Sequence, residues 1–330
     1  MAVTSSGPGD FSTVIAGGLS VNDDVIINHD VTMDGPAPNV NSLTINSGKT
    51  LTGQGYKITC DGESSANVVI NNDGNIAGNL DLEINTQTAT SAVFGGSSGN
   101  CFRDVKLNHA NVDLHLLGNA FIDGQLTIAA GQLTCATEAG SARDLTVEGH
   151  VSLTGTLNGS TAAISFGSIT INNGGTYSAT SGTTTITSRT SGGYSWYAPT
   201  TSSNFNHNNG LVKLTYTSNE TYWQGTGFYD LEIAGSTHHE HRYDDLTDGS
   251  GLTIFNNFTI TEGRVRFNQA GDNVTVHGLT KMVSGQYGNT GTAPSGTHNY
   301  GNVVIEGGTW KVTSGTCNMS GIRKLGGTLA

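Results

Sequence analysis

Prolines, charged residues and long apolar runs are all scarce in this chain. Only 5 of the 330 residues are proline and 12% are charged, about half the usual charged share. No run of about 18 apolar residues occurs, so no membrane-spanning helix is predicted. The 14 Lys and Arg residues are outnumbered by 26 Asp and Glu residues, which gives a formal net charge of -12. This balance excludes a basic nucleic-acid-binding protein, because such a protein needs clustered cations.

Two further absences bear on location and on metal chemistry. The first residues, MAVTSSGPGDF, lack the basic and apolar regions of a secretory signal peptide, so we expect synthesis in the cytoplasm without export by that route. The four cysteines, Cys60, Cys101, Cys135 and Cys317, are 41, 34 and 182 residues apart. These spacings match neither a metal knuckle nor a CxxC redox pair. We predict reduced, buried thiols and no cofactor.

Glycine and short alternating segments are abundant. The chain has 47 glycines, and they stand with asparagine in turns between apolar–polar–apolar triplets. Examples of these triplets are Leu43–Ile45, Leu126–Ile128 and Leu252–Ile254. A triplet places two side chains on one face of a strand and one on the other, which indicates short β-strands. Helical periodicity is nearly absent.

The spacing of the triplets predicts the architecture. Leu82, Val105, Leu126, Leu145 and Ile169 lie 23, 21, 19 and 24 residues apart. A period of roughly 20 residues is typical of a solenoid, in which each coil buries its apolar face against the next. We therefore predict an all-β, right-handed parallel β-helix of about 12 to 13 coils, roughly 60 Å long. A set of antiparallel β-sandwiches is the alternative.

A resemblance supports the solenoid. The stretch Asp24–Gly53 reads DVIINHDVTMDGPAPNVNSLTINSGKTLTG. Its Val-Ile-Ile-Asn opening, its Val-Thr-Met step and its Ser-Leu-Thr-Ile-Asn-Ser-Gly and Leu-Thr-Gly segments resemble the opening coils of parallel β-helix proteins. Such proteins occur in bacteriophage virions and as bacterial surface adhesins similar to filamentous haemagglutinin. The resemblance implies an elongated virion or extracellular component and carries over no catalytic residue.

Four segments are predicted along the chain. Residues 1–22 form an N-terminal arm or cap, 23–190 a β-solenoid, 191–248 an aromatic- and His-rich excursion or appended β element, and 249–330 a solenoid continuation or assembly end. The C-terminal sequence shows no polar cap. Because an uncapped solenoid end exposes sheet edges, we expect self-association, with a homotrimer as the working hypothesis.

Aromatic residues concentrate in the 191–248 segment. Flat rings suit the weakly apolar faces of sugars. We therefore predict a glycan-binding surface formed by Tyr194, Trp196, Tyr197, Tyr222 and Trp223. The alternative is that these rings fill the core of the segment.

The same segment holds the densest group of possible metal ligands. The letters HHEH at residues 238–241 are followed by Asp244 and Asp245, and imidazole with carboxylate suits a transition metal. His239 and His241 lie at i and i+2, so an extended strand would place both on one face. Three symmetry-related copies of the pair could then enclose one ion. The alternative is a solvated polar loop.

Catalytic signals are weak. Glycoside hydrolysis needs two carboxylates about 5 Å or about 6.5–9.5 Å apart. The candidates are the Asp23-Asp24 and Asp244-Asp245 pairs and Asp230 with Glu232. No motif surrounds them, and the 14 basic residues are too dispersed along the sequence to predict a β-elimination centre. We predict no enzymatic activity.

These observations predict a structural virion protein of a bacteriophage. It would be a β-helical fibre, spike or capsid-decoration subunit that contacts other virion proteins and adheres to a host glycan. The expected location is the virion, assembled in the host cytoplasm, with neither nucleic-acid binding nor membrane insertion. Two alternatives stay open: a bacterial cell-surface adhesin, and a polysaccharide-degrading enzyme on the same fold.

Overall fold

The chain folds as a parallel β-solenoid. A computed structural model describes residues 1–15, 18–62, 68–86, 91–198, 204–217, 220–225, 227–236, 239–244, 251–267, 272–288, 296–311 and 315–330. About 13 coils of about 22 residues each make up an all-β structure with almost no helix. The prediction of a parallel solenoid is confirmed. Two compact units are present, Met1–Ile164 and Ser165–Ala330.

The first unit contains one four-residue helix, α1 (Phe11–Val14), and short strands. The strands are β1 (Ala2–Thr4), β2 (Gly9–Asp10), β3 (Asp24–Ile27), β4 (Val31–Thr32), β5 (Ser42–Ile45), β6 (Thr50–Thr52), β7 (Tyr56–Cys60), β8 (Val68–Asn72), β9 (Asn75–Ala77), β10 (Leu80–Ile84), β11 (Ser91–Val93), β12 (Val105–Leu116), β13 (Ala120–Ile122), β14 (Leu126–Thr134), β15 (Leu145–Leu153) and β16 (Thr156–Asn158). Strand β17 (Ile164–Ile171) spans the division between the units.

The second unit continues with strands of similar length. They are β18 (Thr176–Ser178), β19 (Thr183–Ile186), β20 (Tyr194–Tyr197), β21 (Asn204–Asn206), β22 (Leu211–Leu214), β23 (Glu220–Gln224), β24 (Asp230–Ala234), β25 (Glu240–Tyr243), β26 (Leu252–Ile254), β27 (Phe258–Glu262), β28 (Arg264–Phe267), β29 (Val274–Met282), β30 (Gln286–Tyr287), β31 (Thr297–Ile305), β32 (Thr309–Trp310), β33 (Thr316–Lys324) and β34 (Thr328–Leu329).

Apolar side chains stacked from coil to coil form the core of the first unit. One ladder consists of Ile58, Leu82, Val105, Leu126 and Val151, each paired directly with the next across parallel strands. All five are at most 1% exposed. Because one coil covers only part of each side chain, burial is completed by the coils before and after it.

One of the spacings used to infer the period joins residues of two different ladders. Val151, not Leu145, follows Leu126 in the ladder, while Leu145 pairs with Ala120 in a different ladder. Strand β15 carries two apolar triplets, Leu145–Val147 and Val151–Leu153, and its alternation of buried and outward residues is interrupted between them. Each triplet therefore joins its own ladder, and triplet spacing alone does not identify the partner.

Larger side chains fill the core of the second unit. Trp196, Trp223, Tyr243 and Phe267 pair in sequence across β20, β23, β25 and β28, and all four are at most 2% exposed. These strands pair in parallel, so the described part of residues 191–248 contributes to the solenoid ladders. The segment boundaries predicted from the sequence remain predictions.

Glycine recurs at one corner of successive coils in this unit. Gly263, Gly285, Gly308 and Gly327 have φ of 105°, 87°, 77° and 68°. On each of the last three, a Cβ atom would collide with the carbonyl oxygen of the glycine one coil earlier. Glycine is required there because it tolerates positive φ and lets the backbones approach closely.

The cysteine prediction is confirmed in part. All four thiols are free, and Cys60, Cys101 and Cys135 are buried, whereas Cys317 is partly exposed. Burial raises the pKa of Cys60 and of Cys135 to about 12. These two thiols therefore stay protonated at neutral pH and act as small apolar groups.

A buried polar cluster lies among the later coils of the second unit. His298 Nε2 is 3.1 Å from the Asp272 carbonyl oxygen, and Nδ1 is 2.9 Å from the Tyr287 hydroxyl and 3.1 Å from the Tyr300 hydroxyl. The carbonyl can only accept, so Nε2 donates and Nδ1 accepts in the neutral ring. Burial lowers the pKa of His298 to about 4.

We expect replacement of one ladder residue to destabilise the solenoid strongly. Ile260 pairs directly with Ile233 and with Met282 and is fully buried. Ile260→Ala should lower the free energy of unfolding by about 2–5 kcal/mol, because it removes apolar contacts and leaves a cavity. Thr259→Ala, an outward neighbour, should change it by less than about 0.5 kcal/mol. Urea unfolding measures both; equal losses would contradict the ladder description.

The His298 cluster predicts a pH dependence of stability. The pKa of His298 is lowered to about 4 on folding from about 6.5 in an unfolded chain. The unfolded state therefore binds more protons between these values, and stability present above pH 6.5 is lost as the pH falls towards 4. His298→Gln should be less stable at pH 7 but show a smaller loss on acidification. Urea unfolding at a series of pH values measures this. The exposed His277→Gln variant should show the same pH dependence of stability as the parent chain. If His298→Gln also shows the parent's pH dependence, the loss of stability does not come from His298.

Candidate functional site

One outward surface of the second unit combines aromatic and charged side chains. It lies on β20, β23, β25 and β28 and on the residue after β25. We call it the tyrosine–arginine face, and its members are Tyr194, Tyr197, Glu220, Tyr222, Glu240, Arg242, Asp244, Arg264 and Arg266. All nine are partly exposed.

Strand register arranges seven of these side chains in two columns. In the first column, Tyr194 is paired with Tyr222, Tyr222 with Arg242, and Arg242 with Arg266. The second column consists of Glu220, Glu240 and Arg264, again paired in sequence across the strands. Neighbouring strands are about 4.8 Å apart, so the first column extends over roughly 14 Å.

Three tyrosine rings form the aromatic end of the face. The ring centroid of Tyr194 is 5.0 Å from that of Tyr197 and 5.6 Å from that of Tyr222. The Tyr194 hydroxyl donates to Asp244 Oδ2 over 2.8 Å, and the Arg242 guanidinium lies 5.9 Å from the Tyr222 ring centroid. These contacts fix the orientation of the rings while leaving part of each one open to solvent.

The electrostatics of the face keep both central phenols protonated. Burial, followed by the hydrogen bond to Asp244, raises the pKa of Tyr194. The hydrogen bond to Glu220, followed by burial, raises the pKa of Tyr222. At neutral pH both hydroxyl groups are therefore donors and acceptors of hydrogen bonds, not bases.

Glu240 is the centre of the charged end. Its Oε2 lies 3.0 Å from Arg242 Nη2, and its Oε1 lies 2.7 Å from Arg266 Nη2 and 3.8 Å from Arg264 Nη1. Arg242 Nε also pairs with Glu220 Oε1 over 2.8 Å. Three of the chain's seven arginines thus meet around one carboxylate. Contrary to expectation, these cations are brought together on one face.

The structure corrects the predicted glycan surface at both tryptophans. Trp196 and Trp223 are fully buried, so neither offers a ring face to a sugar. The register shifts between Tyr194 and Trp196, and such a β-bulge redirects the side chains that follow it. Tyr194 and Tyr197 therefore point outward although Trp196 points inward. Tyr222 and Trp223 are adjacent residues and take opposite faces by simple alternation.

The predicted histidine ligands lie at the edge of this region. His241 points into the core and is fully buried, and both of its ring nitrogens lack a hydrogen-bond partner. His239 is partly exposed and contacts the Ser236 hydroxyl through Nδ1. A shared ion on a symmetry axis would require the His241 ring to leave the core.

His238 and Asp245 of the predicted metal cluster lie outside the described residues. Among the residues whose placement is described, no group of three His, Cys, Asp or Glu side chains is arranged to hold a metal ion. Metal binding by His239 and His241 stays a prediction.

The carboxylates considered for catalysis have structural partners. Asp230 accepts hydrogen bonds from Asn256 Nδ2 and from the Asn257 backbone N–H. Glu232 forms an ion pair with Lys213 over 3.0 Å and accepts a hydrogen bond from Thr261. These contacts tie neighbouring coils together.

The N-terminal acidic pair has the same kind of role. Ser20 donates to Asp23 through its backbone and its hydroxyl. Asn41 and Ser42 donate to Asp24. These contacts hold the turn before β3 and the first residue of β3 in place.

Sequence reasoning missed the arginines of the face, although a signal was present. Glu240 and Arg242 flank His241, and Arg264 and Arg266 flank Val265. In each strand the apolar or buried residue points inward, so period-2 alternation places the two flanking side chains outward. The register that places β25 next to β28 cannot be read from the sequence alone.

Comparison with family models, with curated proteins and with solved structures found no match. In the part of the chain that the structure describes, no helix is both long enough and apolar enough to cross a membrane.

The central carboxylate should contribute measurably to stability. Glu240→Gln leaves Arg242, Arg264 and Arg266 close together without the charge that offsets their repulsion. We expect the free energy of unfolding to fall by about 2 kcal/mol, less than for a fully buried pair because the site is partly solvated. Glu306→Gln, which removes a single surface partner of Lys281, should cost about 1 kcal/mol or less. Urea unfolding at low salt measures both, and equal small losses would contradict the central role of Glu240.

Proposed function

We propose that this protein is a structural, adhesive protein that binds a glycan through the tyrosine–arginine face. The observation that carries the proposal is the cluster of Tyr194, Tyr197 and Tyr222 on the outside of a parallel sheet, next to paired arginines and carboxylates. Partly exposed rings give sugars a flat apolar surface. Guanidinium and carboxylate groups supply hydrogen bonds for sugar hydroxyls.

The solenoid supports this role by holding the face rigid. The three tyrosines lie on β20 and β23, and each of these strands is paired with a strand on both sides. The side chains beneath the face, such as Trp196 and Trp223, are fully buried. A surface whose side chains are already oriented loses less conformational freedom when a ligand binds. Strand-borne sites are also positioned more accurately than loop-borne ones.

We place the protein in a bacteriophage virion, as a fibre, spike or capsid-decoration subunit. The support is the resemblance of Asp24–Gly53 to the opening coils of β-helical virion proteins, together with a stiff fold suited to mechanical roles. A bacterial cell-surface adhesin would use the same face. Mass spectrometry of purified phage particles and of cell-envelope fractions distinguishes the two locations.

Binding is favoured over polysaccharide cleavage by the chemistry of the face. A tyrosine acts as a base only when deprotonated, whereas the pKa values of Tyr194 and Tyr222 are raised. The nearby carboxylates Glu220 and Glu240 are held in ion pairs. The groups present are therefore better suited to hold a sugar than to transfer its protons.

A glycan array tests the proposal. The parent protein should bind at least one glycan, and Tyr222→Ala should weaken that binding about tenfold, which corresponds to about 1.4 kcal/mol, because it removes a stacking surface. Tyr56→Ala, which removes a partly exposed tyrosine on β7, outside the face, should leave binding unchanged. Equal thermal unfolding of the variants verifies that the fold is intact. Binding by the parent that survives Tyr222→Ala would exclude this face as the receptor site.

A further inference from the structure

We infer that the ligand of the tyrosine–arginine face is an acidic glycan, whose carboxylate or sulfate group docks on Arg264. This inference rests on the proposed glycan-binding function and adds the chemical class of the ligand. It follows from the distribution of charge on the face, from the exposure of Arg264, and from the distance between Arg264 and the tyrosines.

The charged end of the face carries one more cation than anion. Arg242, Arg264 and Arg266 are opposed by Glu220 and Glu240, so the two columns sum to 3 − 2 = +1, in a chain whose formal net charge is -12. The Asp244 carboxylate makes the face as a whole neutral, but it lies at the aromatic end, where it accepts a hydrogen bond from the Tyr194 hydroxyl; the surplus is confined to the charged end. A local cationic site on an acidic protein is suited to an anionic group.

Arg264 is the guanidinium best placed to receive that group. Its closest approach to Glu240 is 3.8 Å, which is beyond hydrogen-bond distance, whereas Arg242 and Arg266 approach Glu240 to 3.0 and 2.7 Å. The side chain of Arg264 is 35% exposed, against 26% for Arg242 and 16% for Arg266. Its side chain is therefore the most exposed of the three and the least engaged by Glu240, and the planar fork of N–H donors at its end matches the geometry of a carboxylate or sulfate.

Like charges stacked on adjacent strands support the same conclusion. Arg242 is directly opposite Arg266, and Glu220 is directly opposite Glu240. Such pairs are unfavourable in a sheet, and sites that keep unfavourable local arrangements are often functional. A bound anion beside Arg264 would relieve the excess positive charge around Glu240.

The spacing of the two ends indicates how the glycan lies. Tyr222 is on β23 and Arg264 is on β28, with β25 between them. Two strand spacings correspond to roughly 10 Å. When one sugar stacks on Tyr222, the acidic group that reaches Arg264 therefore belongs to a neighbouring sugar. The glycan chain then crosses the strands along the coil stack.

The net negative charge of the protein does not prevent this binding. At physiological ionic strength, charges separated by more than about 8 Å are largely screened. The local surplus at Arg264 therefore dominates the attraction at contact, and added salt should weaken it.

The test uses an array on which each uronate glycan and each sulfated glycan is paired with a neutral form of the same backbone, carboxyl-reduced or desulfated. We expect the parent protein to bind the acidic member of a pair at least about tenfold more tightly than the neutral one. Arg264→Gln should remove this preference while leaving the residual binding to the neutral form. Arg323→Gln removes the same charge from an exposed position outside the face and should keep the preference.

Tyr222→Ala separates this inference from the proposal on which it rests. It should weaken acidic and neutral forms alike, whereas Arg264→Gln affects only the acidic ones. Equal binding of acidic and neutral forms, or a preference unchanged by Arg264→Gln, would overturn the acidic-ligand inference and leave glycan binding standing. No binding of any glycan by the parent protein would overturn both.

Discussion

A single constraint organises this molecule: no coil can bury its apolar side chains without the coils on either side. A coil of about 22 residues has room for only a few inward side chains, so each ladder must be continuous. Leu214, Ile233, Ile260, Met282 and Ile305 follow one another in register and are all at most 1% exposed. The backbones of successive coils also approach so closely that a Cβ atom is excluded at some corners, as in the series of glycines from Gly263 to Gly327. This accounts for much of the glycine in the chain.

The ladder constraint also determines what happens outside the core. Once the inward residue is in register, the outward residues beside it are in register too. Lys57 and Lys106 therefore meet Glu83 from opposite sides at 2.6 and 3.0 Å, and Lys213 meets Glu232 at 3.0 Å. Residues about 20 or more positions apart in the sequence therefore lie on neighbouring strands, about 4.8 Å apart. The tyrosine–arginine face is produced by this rule, with no loop needed to assemble it.

The fold could be predicted from the sequence because the inward residues of the core recur as periodic triplets. The register between coils could not be predicted in this way. Leu145 and Val151 both begin triplets, and only the paired backbones reveal that Val151 continues the ladder from Leu126. The site was predictable to the same extent. Tyr222 and Trp223 obey alternation, which sequence reasoning could have applied. Trp196 does not, because a bulge precedes it, and nothing in the letters YSWY indicates one.

The same rigidity that makes the face accurate also limits its chemistry. A β-solenoid keeps outward groups at fixed spacing, so the repulsion between Arg242 and Arg266 cannot be relieved by moving a strand and must be offset by Glu240 or by a ligand. Catalysis of proton transfer would need a group whose pKa is brought near neutrality, whereas the phenols of Tyr194 and Tyr222 are shifted away from it. Recognition needs only fixed donors, acceptors and rings at intervals set by the sheet. Fixed rings, donors and acceptors are therefore the physical basis of the glycan-binding role proposed for this face.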